Sequence, residues 1–408
     1  MFYWIAERKP VRQLILFFIS FALISAIAGC ASDPASKLTT DQVKACQVDD
    51  ANDKTSIDAG IDDRMDYKSR MGLDKKRFSV LTLSGGTANG AWGAGWLCGW
   101  SDSTHRPDFD IVTGISTGAL QATLAFLGTS KDALLKTCYT TVKTEDVYRD
   151  RFFLFLPFSD SLEETWPLAK FIKQNITDDM IKSVADVARN EHRKLLVASV
   201  DLRSGELVIW DLTFIAKKAQ DDPAYNDLYR GVLRASAAIP LAFPPVRIGG
   251  ALQVDGGTGA LVFYKGGLVR HLKKIKTHFS KSANDIASTR PAEADRIRNM
   301  KPDLYTIVNG QLDPDTDSTN DWIVSVGLRA IDCLTRASNR SSLQLVLDNA
   351  QPDYNCHLAY IPSCVPPLTD SSKFVPAEMS KLFDQGRKFG MQYGAENKDK
   401  WMDLHDGN

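Results

Sequence analysis

Two stretches of this 408-residue chain share one arrangement: a short apolar, β-branched run, a turn of small residues, then a longer apolar run of helical composition. The first is Phe78-Ser79-Val80-Leu81-Thr82-Leu83, a turn from Ser84 to Gly90, and Ala91-Trp92-Gly93-Ala94-Gly95-Trp96-Leu97. The second is Asp110-Ile111-Val112-Thr113, then Gly114 to Gly118, then Ala119 to Leu127. Short strands this apolar are buried on both faces, and a strand that feeds straight into a helix belongs to a crossover unit. An α/β fold follows, with a mainly parallel sheet covered by helices on both sides. Leu195 to Asp201 and Glu206 to Trp210, split by Ser204-Gly205, predict a strand pair, and Leu304 to Val308 a further core strand behind the polar stretch Ser282 to Lys301. The length admits one large domain with additions, or two domains. With 49 Lys and Arg against 50 Asp and Glu, the chain has no basic field to hold nucleic acid.

Arg8, Lys9 and Arg12 precede the apolar run Leu14 to Ile24, which shortens into Ser25-Ala26-Ile27-Ala28-Gly29-Cys30. This is the layout of a secretory signal peptide, and the run is shorter than the roughly 18 to 20 residues of a spanning anchor. Ile27-Ala28-Gly29-Cys30 resembles the lipobox of bacterial lipoproteins, which implies a signal peptide over 1–29 and lipidation of Cys30. An Asp directly after the cysteine, the inner-membrane retention signal of that family, is absent, which favours the outer membrane of the cell envelope. Residues 30–76, rich in Asp, Lys, Ser and Thr, read as a polar tether. The globular body is expected over 77–395, and 396–408 reads as a polar tail. Of the remaining cysteines, Cys356 and Cys364 flank a turn and form the easiest pair to bridge, while Cys98 and Cys138 sit in helical patterns and read equally well as buried thiols. Cysteines and histidines show no metal-ligand spacing.

Gly114-Ile115-Ser116-Thr117-Gly118 matches the pattern of a nucleophile elbow, a tight strand-to-helix turn that exposes a serine hydroxyl while small neighbours relieve the crowding. Ser84-Gly85-Gly86-Thr87-Ala88-Asn89-Gly90 also lies between a strand and a helix, so its backbone N–H groups point into an anion-binding concavity. It is not a P-loop, because no Lys-Ser/Thr pair follows the second glycine. As a dinucleotide site it would need an acid about 20 residues on, and Asp102, Asp108 and Asp110 are only loosely placed. An oxyanion hole fits better beside a serine elbow. Asp255, in Gln253-Val254-Asp255-Gly256-Gly257, would by itself be an ordinary turn. It follows an unusual run of small residues and prolines, Ala235 to Pro245, that ends a helix and enters an irregular packed segment.

This ordered set, spanning about Phe78 to Lys265, resembles the patatin-like phospholipase family, and Phe374 to Gly386 resembles the C-terminal helix entry of its bacterial members. The resemblance implies a three-layer α/β/α domain that hydrolyses acyl esters of lipids with no metal or organic cofactor. It makes Ser116 the nucleophile and Asp255 the general base, a dyad without histidine. Gly114 and Gly118 shape the elbow, and the backbone N–H groups of Gly85, Gly86 and Thr87 form the oxyanion hole. Two positions depart from the family: Thr87 stands where a third glycine is usual, and Asn89 where Arg or Lys is common. A β-carbon at 87 distorts the donors if the backbone there needs positive φ.

Two other readings compete. A Ser-Asp-His esterase would draw its histidine from His271, His278, His357 or His405, none of which lies in a recognisable motif. A non-catalytic, membrane-tethered lipoprotein of the same fold would serve as a binding or scaffold module. Phe152 to Phe158 reads as a buried connection before an apolar lip. Trp92, Trp96 and Trp100 share a helical face, read first as core and second as walls of an acyl pocket.

Overall fold

The computed structural model describes residues 33–48, 57–73, 77–103, 106–150, 163–164, 166–240, 242–263, 267–312, 340–348, 350 and 353–396. The expected signal peptide 1–29, Cys30, the run Phe152 to Phe158 and the tail from 397 onward lie outside the described residues. In chain order the main elements are α1 (Thr40–Lys44), α2 (Ile57–Arg70), β1 (Ser79–Leu83), α3 (Gly90–Asp102), β2 (Ile111–Ile115), α4 (Thr117–Leu127) and α5 (Asp132–Thr140). There follow α6 (Trp166–Asn175), α7 (Asp178–Asn190), β3 (Lys194–Asp201), β4 (Glu206–Asp211), α8 (Leu212–Lys218), α9 (Ala224–Ser236), β5 (Val246–Ile248) and β6 (Ala251–Asp255). The chain continues with α10 (Gly267–Ile286), α11 (Pro291–Arg298), β7 (Asp303–Ile307), β8 (Asn355–Ala359) and α12 (Pro376–Glu396).

The sheet runs β8-β7-β1-β2-β3-β6-β5, with β4 also on β3. The five strands from β8 to β3 are parallel, and β4, β5 and β6 pair antiparallel. Alternate strand residues enter separate cores, as the two-residue period of a strand requires. Leu81, Leu83, Val112, Leu195 and Val197 lie in one. Val80, Ile111, Leu196, Ala198 and Leu304 lie in the other, under α2, α10 and α11. The fold is thus the expected three-layer α/β/α with a mainly parallel sheet. The polar stretch before β7 is helical: it carries the end of α10 and all of α11.

The spaced tryptophans are core. Trp92 and Trp96 are fully buried in α3, which lies backbone to backbone against α12. A Cβ on Gly95 or Gly99 would come within 2.0 Å of the Phe383 or 1.9 Å of the Arg387 carbonyl oxygen, and Gly386 and Gly390 face the Trp92 and Trp96 carbonyls equally closely. Glycines at those four positions allow the contact, and the indoles pack beside it rather than walling a pocket.

The tether expectation for 30–76 is corrected in the described parts. Cys46 is fully buried, and the adjoining backbone extends the edge of β4: Val48 N–H donates to Ile209 O and Asp211 N–H to Cys46 O. Helix α2 buries Ile61 and Met65 in the second core. Its polar composition misled because Arg64 and Lys68 point inward too, onto Asp110. The suggested Cys356–Cys364 bridge is also absent: both are free, as are Cys46, Cys98 and Cys138. Among the described residues no helix is long and apolar enough to cross a membrane.

Candidate active site

The site is built where two strands run head to head along one edge of β3. Strand β2 pairs parallel with the first part of β3, ending at Ile115 opposite Ala198. Strand β3 continues, and its next residue, Ser199, pairs with Asp255 at the end of antiparallel β6. Ser116 and Asp255, 139 positions apart in the chain, therefore meet across a gap in the sheet, and Ser116 Oγ donates a 2.6 Å hydrogen bond to Asp255 Oδ2.

Ser116 has φ 55° and ψ −125°, a strained conformation that leaves its side chain at the tip of the turn. Gly114 and Gly118 make the turn possible, since a Cβ on Gly114 would lie 2.5 Å from Gly118 O and one on Gly118 2.4 Å from Leu83 O. The small-residue run Ala235 to Pro245 now has a role. Ser236 Oγ accepts the Ser116 N–H at 3.0 Å and donates to Ala198 O at 2.6 Å. Ala238 O accepts the Asp255 N–H, so one segment holds both backbones.

Asp255 is buried, 4% exposed, and no cation pairs with it among the described residues. Its Oδ1 accepts the Gly257 N–H at 2.6 Å. Burial pushes its carboxyl up to about 6, against the pull of the hydrogen bonds from Ser116 and Gly257.

The loop Gly85-Gly86-Thr87 lies beside Ser116: a Cβ on Gly85 would be 3.1 Å from Ser116 Cβ. Among the described residues the N–H groups of Gly85, Gly86 and Thr87 donate to no protein group, nor does that of Thr117 at the start of α4. Gly86 has φ 152° and faces Asn309, whose carbonyl oxygen would lie 2.0 Å from any Cβ there. Thr87 has φ 51°, so the positive φ that the departure from glycine raised as a concern is real. Asn89 starts α3 without a capping side-chain bond.

A narrow apolar cavity of about 70 Å³ opens from Ser116, Thr87 and Thr117 between α4, α5 and α6, lined by Leu124, Cys138, Leu168, Ile172, Phe243 and Phe374 among others. No histidine lines it or bonds either dyad residue among the described residues. His357 instead meets Asp303 at 3.1 Å and stacks on Tyr305, and His278 lies on α10 with its Nε2 buried and bonded to no described residue. Side chains of 264–273, with His271, and residue His405 are outside the described set.

The model of a family described as patatin-like phospholipase matches residues 81–264, the span holding the loop, the elbow and Asp255. The chain carries a patatin-like phospholipase domain. No curated protein matches the sequence. Among solved structures the chain is similar to the crystal structure of VipD from Legionella pneumophila, with 12% identity and a TM-score of 0.39 over 78% of this chain. It spans 66% of that protein's chain.

Sequence reasoning missed three supports of the patatin-like site. Asn309, 1% exposed, donates its N–H to Ser84 Oγ and its Nδ2 to Ser84 O, each at 2.8 Å. Its Oδ1 accepts the Gly93 N–H. Ser371 O accepts from Thr87, and Ser236 holds the elbow as described. Asn309 directly follows a recognisable core strand, the one local signal available. Nothing near Ser371 in sequence marks it.

Proposed function

We propose that this domain is a serine lipid acyl hydrolase that cleaves acyl ester bonds through Ser116 and Asp255. One observation carries the reading: a serine at a strained turn donates to a buried carboxylate that no cation among the described residues neutralises, at the mouth of an apolar cavity. Ionised Asp255 takes the Ser116 proton as Oγ bonds to the ester carbonyl carbon, and the carbonyl electron pair moves onto oxygen. The N–H groups of Gly85, Gly86 and Thr87, joined by that of Thr117, receive this oxyanion; one such donor is worth about 10² to 10³ in rate. When the carbon–oxygen bond breaks, the leaving alkoxide takes the proton from Asp255. Water then attacks the acyl-serine and gives its proton to Asp255, and the acid departs as the proton returns to Ser116. The cavity would hold the acyl chain, with the leaving group outside.

We also propose that Cys30 is the lipid-bearing N-terminus of the mature protein, placing the domain in the bacterial envelope, at the outer membrane. Because the described chain is docked on the domain from Pro34, which packs against Gly231, Cys30 lies four residues, at most about 14 Å, from that contact. Such an anchor holds the domain against the bilayer rather than at the end of a tether.

The test is hydrolysis of short- and long-chain p-nitrophenyl esters and phosphatidylcholine vesicles by wild type and Ser116→Ala, with mass detection of acyl-Ser116. Turnover lost with Ser116 and kept after substitution of every histidine supports the dyad. Wild type no faster than Ser116→Ala, with both folded, sinks the hydrolase and leaves a binding module.

A further inference from the structure

We infer that Thr87 is a positioning residue whose hydroxyl clasps the oxyanion loop to a strap, residues 369–374, that walls the acyl cavity. The inference rests on the hydrolase reading and deepens it. A β-branched residue rarely takes φ 51°, and such a conformation persists only where its surroundings over-determine it. Here they do. Thr87 Oγ1–H points to the Ser371 carbonyl oxygen at 2.6 Å, with Gly86 O a second acceptor at 2.8 Å. The Ala88 N–H donates to the same Ser371 oxygen at 3.2 Å. On its other side the loop is held by Asn309 through Ser84. The oxyanion donors thus lie between two supports that both fall outside the family-matched span 81–264.

The strap has its own moorings. The Thr369 N–H and hydroxyl both donate to the Glu378 carboxylate at 3.0 Å. Tyr148 OH donates to Ser372 O, and the Phe374 N–H donates to Thr144 Oγ1, each at 3.0 Å. The Phe374 ring then lines the cavity. A shift of the strap would move a cavity wall and, through Thr87, the amides beside Ser116. Glycine at 87 would tolerate the φ but has no hydroxyl to make the tie. The threonine therefore exchanges backbone strain for a link between cavity wall and oxyanion loop, which answers the concern raised by its departure from the family pattern.

The experiment compares wild type with Thr87→Val, which keeps the branched shape and removes the donor, Thr87→Ser, which keeps the donor, and Thr87→Gly, which removes donor and strain. Amide hydrogen exchange over 369–374 should speed about tenfold in Thr87→Val and Thr87→Gly and clearly less in Thr87→Ser. For p-nitrophenyl butyrate, kcat should fall about tenfold in Thr87→Val with KM changed less than about threefold, and should fall less in Thr87→Ser. Exchange unchanged in Thr87→Val and Thr87→Gly, or equally fast in Thr87→Ser, overturns the clasp. Faster exchange with an unaltered kcat overturns its link to the oxyanion loop. If Thr87→Val fails to fold, Thr87→Gly, which needs no compensation at that φ, decides the exchange arm. Failure of the hydrolase reading looks different: wild type takes up no fluorophosphonate at Ser116, while exchange still decides whether the clasp exists.

Discussion

Asp110 and Asp255 are both almost fully buried, 1% and 4% exposed, and they sit at opposite ends of the sheet around β2. Asp110 precedes the strand and accepts from Arg64 Nε at 2.6 Å, Lys68 Nζ at 3.1 Å and the Ser79 N–H at 2.7 Å. Burial raises its pKa, but the two cations and the hydrogen bonds outweigh that, holding the carboxyl below the usual range. Asp255, beyond the other end, has only neutral donors among the described residues, Ser116 and Gly257, and burial wins. The same residue type at the same depth becomes a fixed anion in one place and a carboxyl raised to about 6 in the other. What differs is the presence of a counter-charge, and with it the task. Asp110 rivets α2 to the sheet; in the proposed hydrolase Asp255 would exchange a proton with Ser116.

The largest effect that would sharpen this contrast is on turnover. Ser116→Ala and Asp255→Asn should each lower kcat/KM for an acyl ester by about 10⁴ or more, whereas Asp110→Asn should leave the folded protein's rate within about threefold, measured on the folded fraction. Stability should respond in the reverse order. Asp110→Asn removes the buried carboxylate charge that faces Arg64 and Lys68 and should cost about 3 to 5 kcal/mol in urea unfolding at pH 7. A loss below about 1 kcal/mol would break the comparison.

The pH dependences should oppose one another. A carboxyl raised to about 6 in the folded chain destabilises folding once ionised, so that penalty is absent near pH 4, grows between pH 4 and 6 and is full above. Asp255→Asn should therefore be more stable than wild type at pH 8, by about 3 kcal/mol, with the gap closing at pH 4. The acid limb of wild-type kcat/KM should have its midpoint near 6, where Asp255 loses its basic form. Asp110, its pKa lowered on folding, contributes stability that is present above the ordinary carboxylate range and is lost as pH falls through its folded pKa. The smallest expected effect is that of Ser236→Ala, which orphans the buried Ser116 N–H. It should cost about 1 to 2 kcal/mol by unfolding, with a several-fold fall in kcat.

Much of this was legible in the chain. Strand-loop-helix succession gave the layer order, because strand and helix periods and glycine sterics act between near neighbours. The elbow at Ser116 was readable in part for the same reason: Gly114 is required by its contact with Gly118, four residues on, whereas Gly118 is required by Leu83, 35 positions back. The inward faces of α2 were not readable, since Arg64 and Lys68 look solvated until Asp110 stands opposite them. Nor were Asn309 and Ser371, whose partners in the oxyanion loop lie over 200 positions away.

The sequence by itself determined that an α/β sheet would form and that a serine would stand at the turn beyond a strand end. Only the tertiary structure decided that β3 runs past β2 to bring Asp255 head-on to Ser116, that Thr87 would be held at positive φ by a distant carbonyl, and that no cation of the described residues would reach Asp255. The physical reason is range: backbone sterics and side-chain periodicity are local, while desolvation and Coulomb forces depend on every group the fold brings near and on every group it keeps away.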